Sequence, residues 1–201
     1  MGIRAVVFDI GGVLEIAPHT GWDARWSERL GLSPAEFDQR TDEIWRDGAR
    51  GQAGLAEVHT RLAAALAVDT STVDALMADM WASYLGTLNA ELVEYVRRLR
   101  PRYRTGILSN SFVGAREHEQ NAYGLTDLVD EIVYSHEVGF GKPDPRVYAL
   151  TCERLGVRAE EIVFLDDVRM CVEGAAAYGM HAILFQNNAQ AVADIEARLA
   201  V

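Results

Sequence analysis

Short apolar runs at 104–108, 131–134, 162–165 and 181–185 alternate with helical patterns along the second half of the chain. A fifth run, Ala-Val-Val-Phe at 5–8, precedes them near the amino end. Apolar runs this short, without polar alternation, read as strands buried on both faces, the habit of parallel sheets. Parallel neighbours need crossovers, and the helical stretches between the runs supply them. Asn89 opens a helix that runs to Arg100 and is stopped by Pro101, and Gly124 closes a helix over 114–123. Asp144-Pro145 starts one that ends at Gly156, Gly179 closes the helix over 169–178, and a last helix covers 189–199. The implied class is α/β, a Rossmann-like doubly wound parallel sheet.

A different pattern interrupts this alternation after the first run. From Trp22 to Tyr84 the periodicity is helical throughout, with helices expected over 23–30, 34–46, 55–67 and 72–84. Ser33-Pro34-Ala35-Glu36 is a capping box with proline at the first helical position, and Ser71 to Asp74 reads as a similar start. Gly48 and the stretch from Gly51 to Gly54 are expected to break the second helix from the third. The block reads as an insertion, a helical cap over 18–86 above a core formed by 1–17 and 87–201.

The polar residues collect where the apolar runs end. The first run ends in Asp9, followed by Gly11 and Gly12; others end in Ser109-Asn110-Ser111 and in Asp166-Asp167. A loop with Gly141, Lys142 and Pro143 follows a fourth run. In open α/β sheets ligands gather at the carboxyl ends of the strands. Each piece has a bland reading as a helix cap, a turn or a solvated charge. Each also has a chemical one. A carboxylate at a central strand end can act as a nucleophile, and a hydroxyl with backbone N–H groups can hold phosphate oxygens. A lysine can neutralise a transferring phosphoryl group, and adjacent acids suit Mg²⁺. Lys142 is the single lysine among 19 basic residues, and the combination at successive strand ends favours chemistry over caps.

Net charge is −11, which opposes nucleic acid and anionic membranes as partners. The beginning of the sequence shows no signal pattern and no run is long enough to span a bilayer, so a cytoplasmic location is expected. Cys152 and Cys171 have no metal spacing and suggest no disulfide framework.

Phe-Asp-Ile-Gly-Gly-Val-Leu, Leu-Ser-Asn-Ser, Gly-Lys-Pro-Asp-Pro-Arg-Val-Tyr and Val-Phe-Leu-Asp-Asp resemble the four motifs of the haloacid dehalogenase-like (HAD) hydrolase superfamily. The resemblance covers essentially the whole chain and extends to the subfamily with a helical cap. It is greatest to the branch of glucose-1-phosphate phosphatases and the amino-terminal phosphatase domain of soluble epoxide hydrolase. It implies a Mg²⁺-dependent phosphatase acting on a small phosphorylated metabolite, sugar phosphates included, through an aspartyl-phosphate. Asp9 would be nucleophile and metal ligand, and Gly11 a ligand through its carbonyl. Ser109 and Asn110 would hold the phosphoryl group, and Lys142 would orient the nucleophile. Asp167 would ligate Mg²⁺, with Asp166 supporting it directly or through water. The expected assembly is a monomer or homodimer.

Two departures stand out. Most phosphatases of the superfamily carry an aspartate where Gly11 stands, as general acid and then base. Its loss predicts slower chemistry, or a proton relayed by water, the substrate, Glu15 or His19. Cys171 occupies a position where an acid or amide often supports the metal, and it reads as a small buried thiol. In the cap, Trp22, Trp26, Trp45, Arg46 and Arg50 are candidate substrate contacts. Two alternatives remain open at this point. One is a metal-free 2-haloacid dehalogenase using Asp9, Lys142 and Tyr148; the other is a degenerate fold kept for binding.

Overall fold

The structure, a computed structural model, describes residues 2–17 and 20–200. Strand β1 (Ala5–Phe8) lies at the centre of a five-stranded sheet. On one side it pairs with β4 (Arg104–Ser109), which pairs with β5 (Glu131–Tyr134). On the other it pairs with β6 (Ile162–Asp166), which pairs with β7 (His181–Leu184). Every pairing is parallel. In chain order the sheet reads third, second, first, fourth, fifth strand, so the connections diverge on either side of β1.

The two-residue period of β1 explains why its run is apolar throughout. Val6 and Phe8 enter the core on one face of the sheet, Ala5 and Val7 the core on the other. The faces are covered by α5 (Ala90–Leu99), α6 (Ala115–Tyr123), α9 (Pro145–Leu155), α10 (Arg169–Tyr178) and α11 (Asn188–Leu199). Two one-turn helices, α7 (Leu125–Leu128) and α8 (Ser135–Val138), and a 3₁₀ turn at Ala159–Glu161 were not foreseen from the sequence. They are too short to show a period.

The helical insertion is pinned at its neck. A two-stranded antiparallel ribbon, β2 (Glu15–Ile16) with β3 (Thr87–Leu88), carries the chain out and back. Asn89 locks the neck: its N–H donates to the Leu14 carbonyl at 2.8 Å and its side-chain amide to the Val13 carbonyl at 2.9 Å. The same side chain caps α5 by accepting from the Leu92 N–H. Gly86 is obligatory here, because a Cβ would lie 2.5 Å from the Ile16 carbonyl oxygen.

The four expected helices are present as α1 (Trp22–Arg29), α2 (Pro34–Ala49), α3 (Leu55–Leu66) and α4 (Thr70–Leu85). Ser33 and Glu36 form the foreseen capping box. Two details differ. The cap of α4 is Asp69, whose carboxylate accepts from the Thr72 N–H at 2.8 Å, so the helix starts before the Ser71 start signal. Gly48 does not break α2 but lies inside it, because its bare Cα lets the Phe112 ring approach; a Cβ would sit 2.3 Å from that ring. The break comes at Gly51, at φ +67°, where a Cβ would meet the His136 carbonyl oxygen at 1.8 Å. The end of α2 is therefore seated directly on the loop beyond β4 and on α8.

None of the described helices is long and apolar enough to cross a membrane.

This seating is testable. Gly31 has the same φ of +67° but open space around it, so Gly31→Ala should cost about 1 kcal/mol from backbone strain alone. Gly51→Ala adds a backbone collision and should lower stability by about 3 kcal/mol or more, read as a urea midpoint shift at unchanged m.

Candidate active site

The sheet register delivers four side chains to one rim. Phe8 is the last paired residue of β1, and Asp9 follows it, its N–H donating to the Leu165 carbonyl at 2.9 Å. Ser109 ends β4, Asp166 ends β6, and Asp167 is the next residue. Lys142 reaches the rim from the loop before α9. Its Nζ lies 2.7 Å from Asp9 Oδ1 and 2.7 Å from Asp166 Oδ2, and the ammonium is buried.

Such a buried cation survives because two carboxylates share it. Burial works against the charged lysine, but Asp9 and Asp166 outweigh it and hold its pKa above the usual value. Burial likewise pushes the Asp9 carboxyl up to about 6, against the pull of Lys142 and with a further push from Asp166. The two oxygens of Asp9 are unequal. Oδ1 accepts from Lys142 and from the Ile10 N–H at 2.8 Å. Oδ2 has no hydrogen-bond partner among the described residues, so one oxygen is held and the other is free to react.

The loop that carries Lys142 is clamped by Asn110. The Asn110 amide donates to the Lys142 carbonyl at 2.9 Å and accepts from the Lys142 N–H at 2.8 Å. Both polar atoms of its side chain are therefore committed to the lysine's own peptide. Gly141 is a glycine for the same reason, since a Cβ would stand 2.3 Å from Asn110 Oδ1. Ser109 is buried at the expected strand end.

Ligand atoms of Asp9, Asp166 and Asp167 all lie within 4.8 Å of one another. The donors are oxygens only, Asp167 is exposed, and Asp9 has a free oxygen, which suits a hard divalent cation. Gly12, at φ +77°, makes the cluster possible, because a Cβ would lie 2.1 Å from Asp167 Oδ2. Asp166 differs from its neighbours. It is fully buried, with Oδ2 on Lys142 and Oδ1 accepting from the Val168 N–H at 2.8 Å, so its first task is to anchor the lysine.

A family model described as haloacid dehalogenase-like hydrolase matches residues 3–179. The chain belongs to the haloacid dehalogenase-like hydrolases. It is 34% identical over 200 residues to Phosphatase MT3486 of Mycobacterium tuberculosis, covering 94% of this chain and 90% of that one. D-ribitol-5-phosphate phosphatase of Bacteroides thetaiotaomicron is 23% identical over 176 residues, covering 82% and 83%. Other relatives are longer proteins, of which this HAD chain spans less than half. A HAD family enzyme of Bacteroides thetaiotaomicron, solved with magnesium and inorganic phosphate, matches the fold with a TM-score of 0.77 at 21% identity. That match covers 92% of this chain and 95% of the other.

The departures seen in the sequence have structural counterparts. Gly11 is exposed, and a Cβ there would have no atom within 4 Å, so the missing acid leaves open space. His19 lies outside the described residues. Glu15 is buried with Oε1 unpartnered, and burial, Glu119 and Asp9 together push its pKa to about 9. The Cys171 thiol is buried and pushed up to about 11, which fits an inert packing role. Tyr148 is buried and its hydroxyl donates to the Cys171 carbonyl at 2.8 Å, so the tyrosine on which the dehalogenase reading leans is already committed.

Sequence reasoning missed Glu119. It is fully buried on α6, its Oε2 accepts from the Tyr134 hydroxyl, its Oε1 is unpartnered, and its pKa is pushed to about 7 by burial. The available signal was its spacing of four from Ala115, which puts an acid on the buried face of the helix.

Glu15 and Glu119 make stability depend on pH. Each binds its proton more tightly folded than unfolded, so the native state holds more protons from about pH 4.5 up to about 9 for Glu15 and about 7 for Glu119. The contribution of these two acids to stability should fall as pH rises through that window. Glu15→Gln, which keeps the shape of the protonated acid, should flatten the decline between pH 5 and 9 in urea titrations; parallel wild-type and variant curves would refute it.

Proposed function

We propose that the protein is a Mg²⁺-dependent phosphatase that hydrolyses a small phosphorylated metabolite through an aspartyl-phosphate on Asp9. The observation that carries this reading is the unequal pair of Asp9 oxygens. Lys142 and the Ile10 N–H hold Oδ1, so Oδ2 is aimed and unencumbered. A phosphatase name on a relative 34% identical over nearly the whole chain supports the same reading.

Asp9, Asp167 and the Gly11 carbonyl would hold the ion, with Asp166 adding a spare lone pair directly or through water. Bound there, Mg²⁺ would offset the negative charge of phosphate and nucleophile. Asp9 Oδ2 attacks phosphorus, an O–P bond forms, and the ester P–O bond breaks, the departing alkoxide taking its proton from water because Gly11 carries no acid. Water then attacks the acyl phosphate, releasing inorganic phosphate and restoring the carboxylate. Lys142 remains charged throughout, offsetting the charge of the incoming phosphoryl group and then that of the carboxylate restored when the acyl phosphate is cleaved. The Ser109 hydroxyl is the side-chain contact proposed for the phosphoryl oxygens. The insertion over 18–86 is proposed as a cap that excludes water from the rim. The sequence resemblance by itself admits sugar phosphates to the substrate class and does not choose among small phosphate esters.

Phosphate release from para-nitrophenyl phosphate should require Mg²⁺ and fall about 10³-fold or more in Asp9→Asn. Halide release from a chloroacid without metal would instead establish the dehalogenase reading.

Gly11 supplies a second test. Its open surroundings accept a side chain, so Gly11→Asp should fold normally and provide the absent proton donor. Turnover of esters with poorly leaving alcohols should rise about 10-fold or more relative to para-nitrophenyl phosphate, flattening the dependence of kcat on leaving-group pKa. An unchanged slope would show that the native protein already protonates the leaving group.

A further inference from the structure

Between the helical insertion and the sheet rim lies a cavity of about 600 Å³ with Lys142 in its wall. Its apolar wall is formed by Trp22, Trp45, Met80, Tyr84, Phe112 and Phe140. The aromatic part is interlocked. Trp22 meets Trp45 edge to face at 5.7 Å and 84°, and Trp45 meets Phe112 at 5.7 Å. Gly48 and Gly51 seat this wall against the core, as described above.

Most polar side chains in the wall already have partners. Ser83 Oγ is hydrogen-bonded to the Thr20 hydroxyl at 2.8 Å. Ser111 Oγ is bonded to His136 Nδ1 at 2.7 Å, and Ser135 Oγ accepts from the Ser111 N–H at 2.9 Å. Asn110 spends both amide atoms on the Lys142 peptide. Tyr84 is half-buried, and burial together with the charge of Glu119 holds the pKa of its hydroxyl above the usual value. Lys142 is held by its two carboxylates, and Arg50, the remaining polar residue of the wall, is exposed. A polyol entering this space would bury hydroxyls with few free partners, whereas a hydrocarbon body loses nothing by it.

We infer that the alcohol part of the preferred substrate is apolar: a monophosphate ester of an aromatic or alicyclic alcohol of one or two rings rather than of a sugar or polyol. The inference rests on the phosphatase reading and narrows it. The phosphate would lie at the Lys142 end, against Asp9, with the carbon body between Trp45, Phe112 and Phe140. A cavity of this size accommodates a ligand of that class, since small-molecule sites span roughly 300–1,000 Å³.

The test compares 2-phenylethyl phosphate with D-ribitol 5-phosphate, both esters of primary alcohols, with acetyl phosphate as a small substrate that leaves the cavity unfilled. With Mg²⁺, kcat/KM for 2-phenylethyl phosphate should exceed that for D-ribitol 5-phosphate by about 100-fold or more, since even one added hydroxyl in an apolar pocket costs about that factor. Trp45→Leu should shrink this ratio, mainly through KM; because both substrates are read on one preparation, partial misfolding cancels. Equal or better turnover of D-ribitol 5-phosphate, with acetyl phosphate hydrolysed, overturns the inference and leaves the phosphatase reading standing. Failure on all three substrates overturns that reading instead. The cavity is then decided by titration with 2-phenylethylphosphonate, which should quench tryptophan fluorescence saturably in the wild type and less in Trp45→Phe. Absence of saturable quenching overturns the inference whatever the turnover.

Discussion

A single ammonium between two buried carboxylates organises the sheet rim of this molecule. Lys142 Nζ is 2.7 Å from both Asp9 and Asp166, and none of the three is more than 7% exposed. The attraction does not have to be large in net terms to matter. Burying three charges costs most of what their attraction returns, but removing any one of them leaves the others unpaired in a low-dielectric site. Everything that holds the lysine is therefore constrained as well. Asn110 clamps its peptide, Gly141 makes room for Asn110, and the Val168 N–H completes Asp166. The product of these constraints is an aspartate with one restrained oxygen and one free.

The same rim makes the acid cluster tolerable. Three carboxylates crowd within 4.8 Å, and one cation cannot neutralise them. The excess adds, through Asp166, to the burial that chiefly raises the pKa values of Asp9 and Asp167. A divalent ion would relieve it, whereas Glu15 and Glu119, buried farther back, meet the same problem by keeping their protons.

The helical insertion adds the wall that the core lacks. Its position depends on close contacts of backbone with ring and carbonyl at Gly48 and Gly51, and on the Asn89 lock at its neck. Trp22 and Trp45 line the same cavity as Lys142, while Trp26 turns into the core and donates to Asp79 at 2.8 Å. Among the other cap candidates, Arg50 reaches the cavity wall and Arg46 does not.

Much was legible in the linear chain. Short apolar runs separated by capped helices determined a parallel sheet, because only burial on both faces explains Val6, Phe8, Ala5 and Val7 together. The run ends placed Asp9, Ser109, Asp166 and Asp167 on one edge, since strand direction fixes which end a residue occupies. What the chain could not disclose were contacts between residues far apart in sequence. The commitment of Asn110 to Lys142, of Tyr148 to Cys171, and of Gly48 to Phe112 are properties of packing, invisible to local periodicity. Local pattern determined where each chemical group would stand along its strand or helix. Only the tertiary structure decided which of them are free to act, because freedom to react is set by the partners that long-range packing supplies.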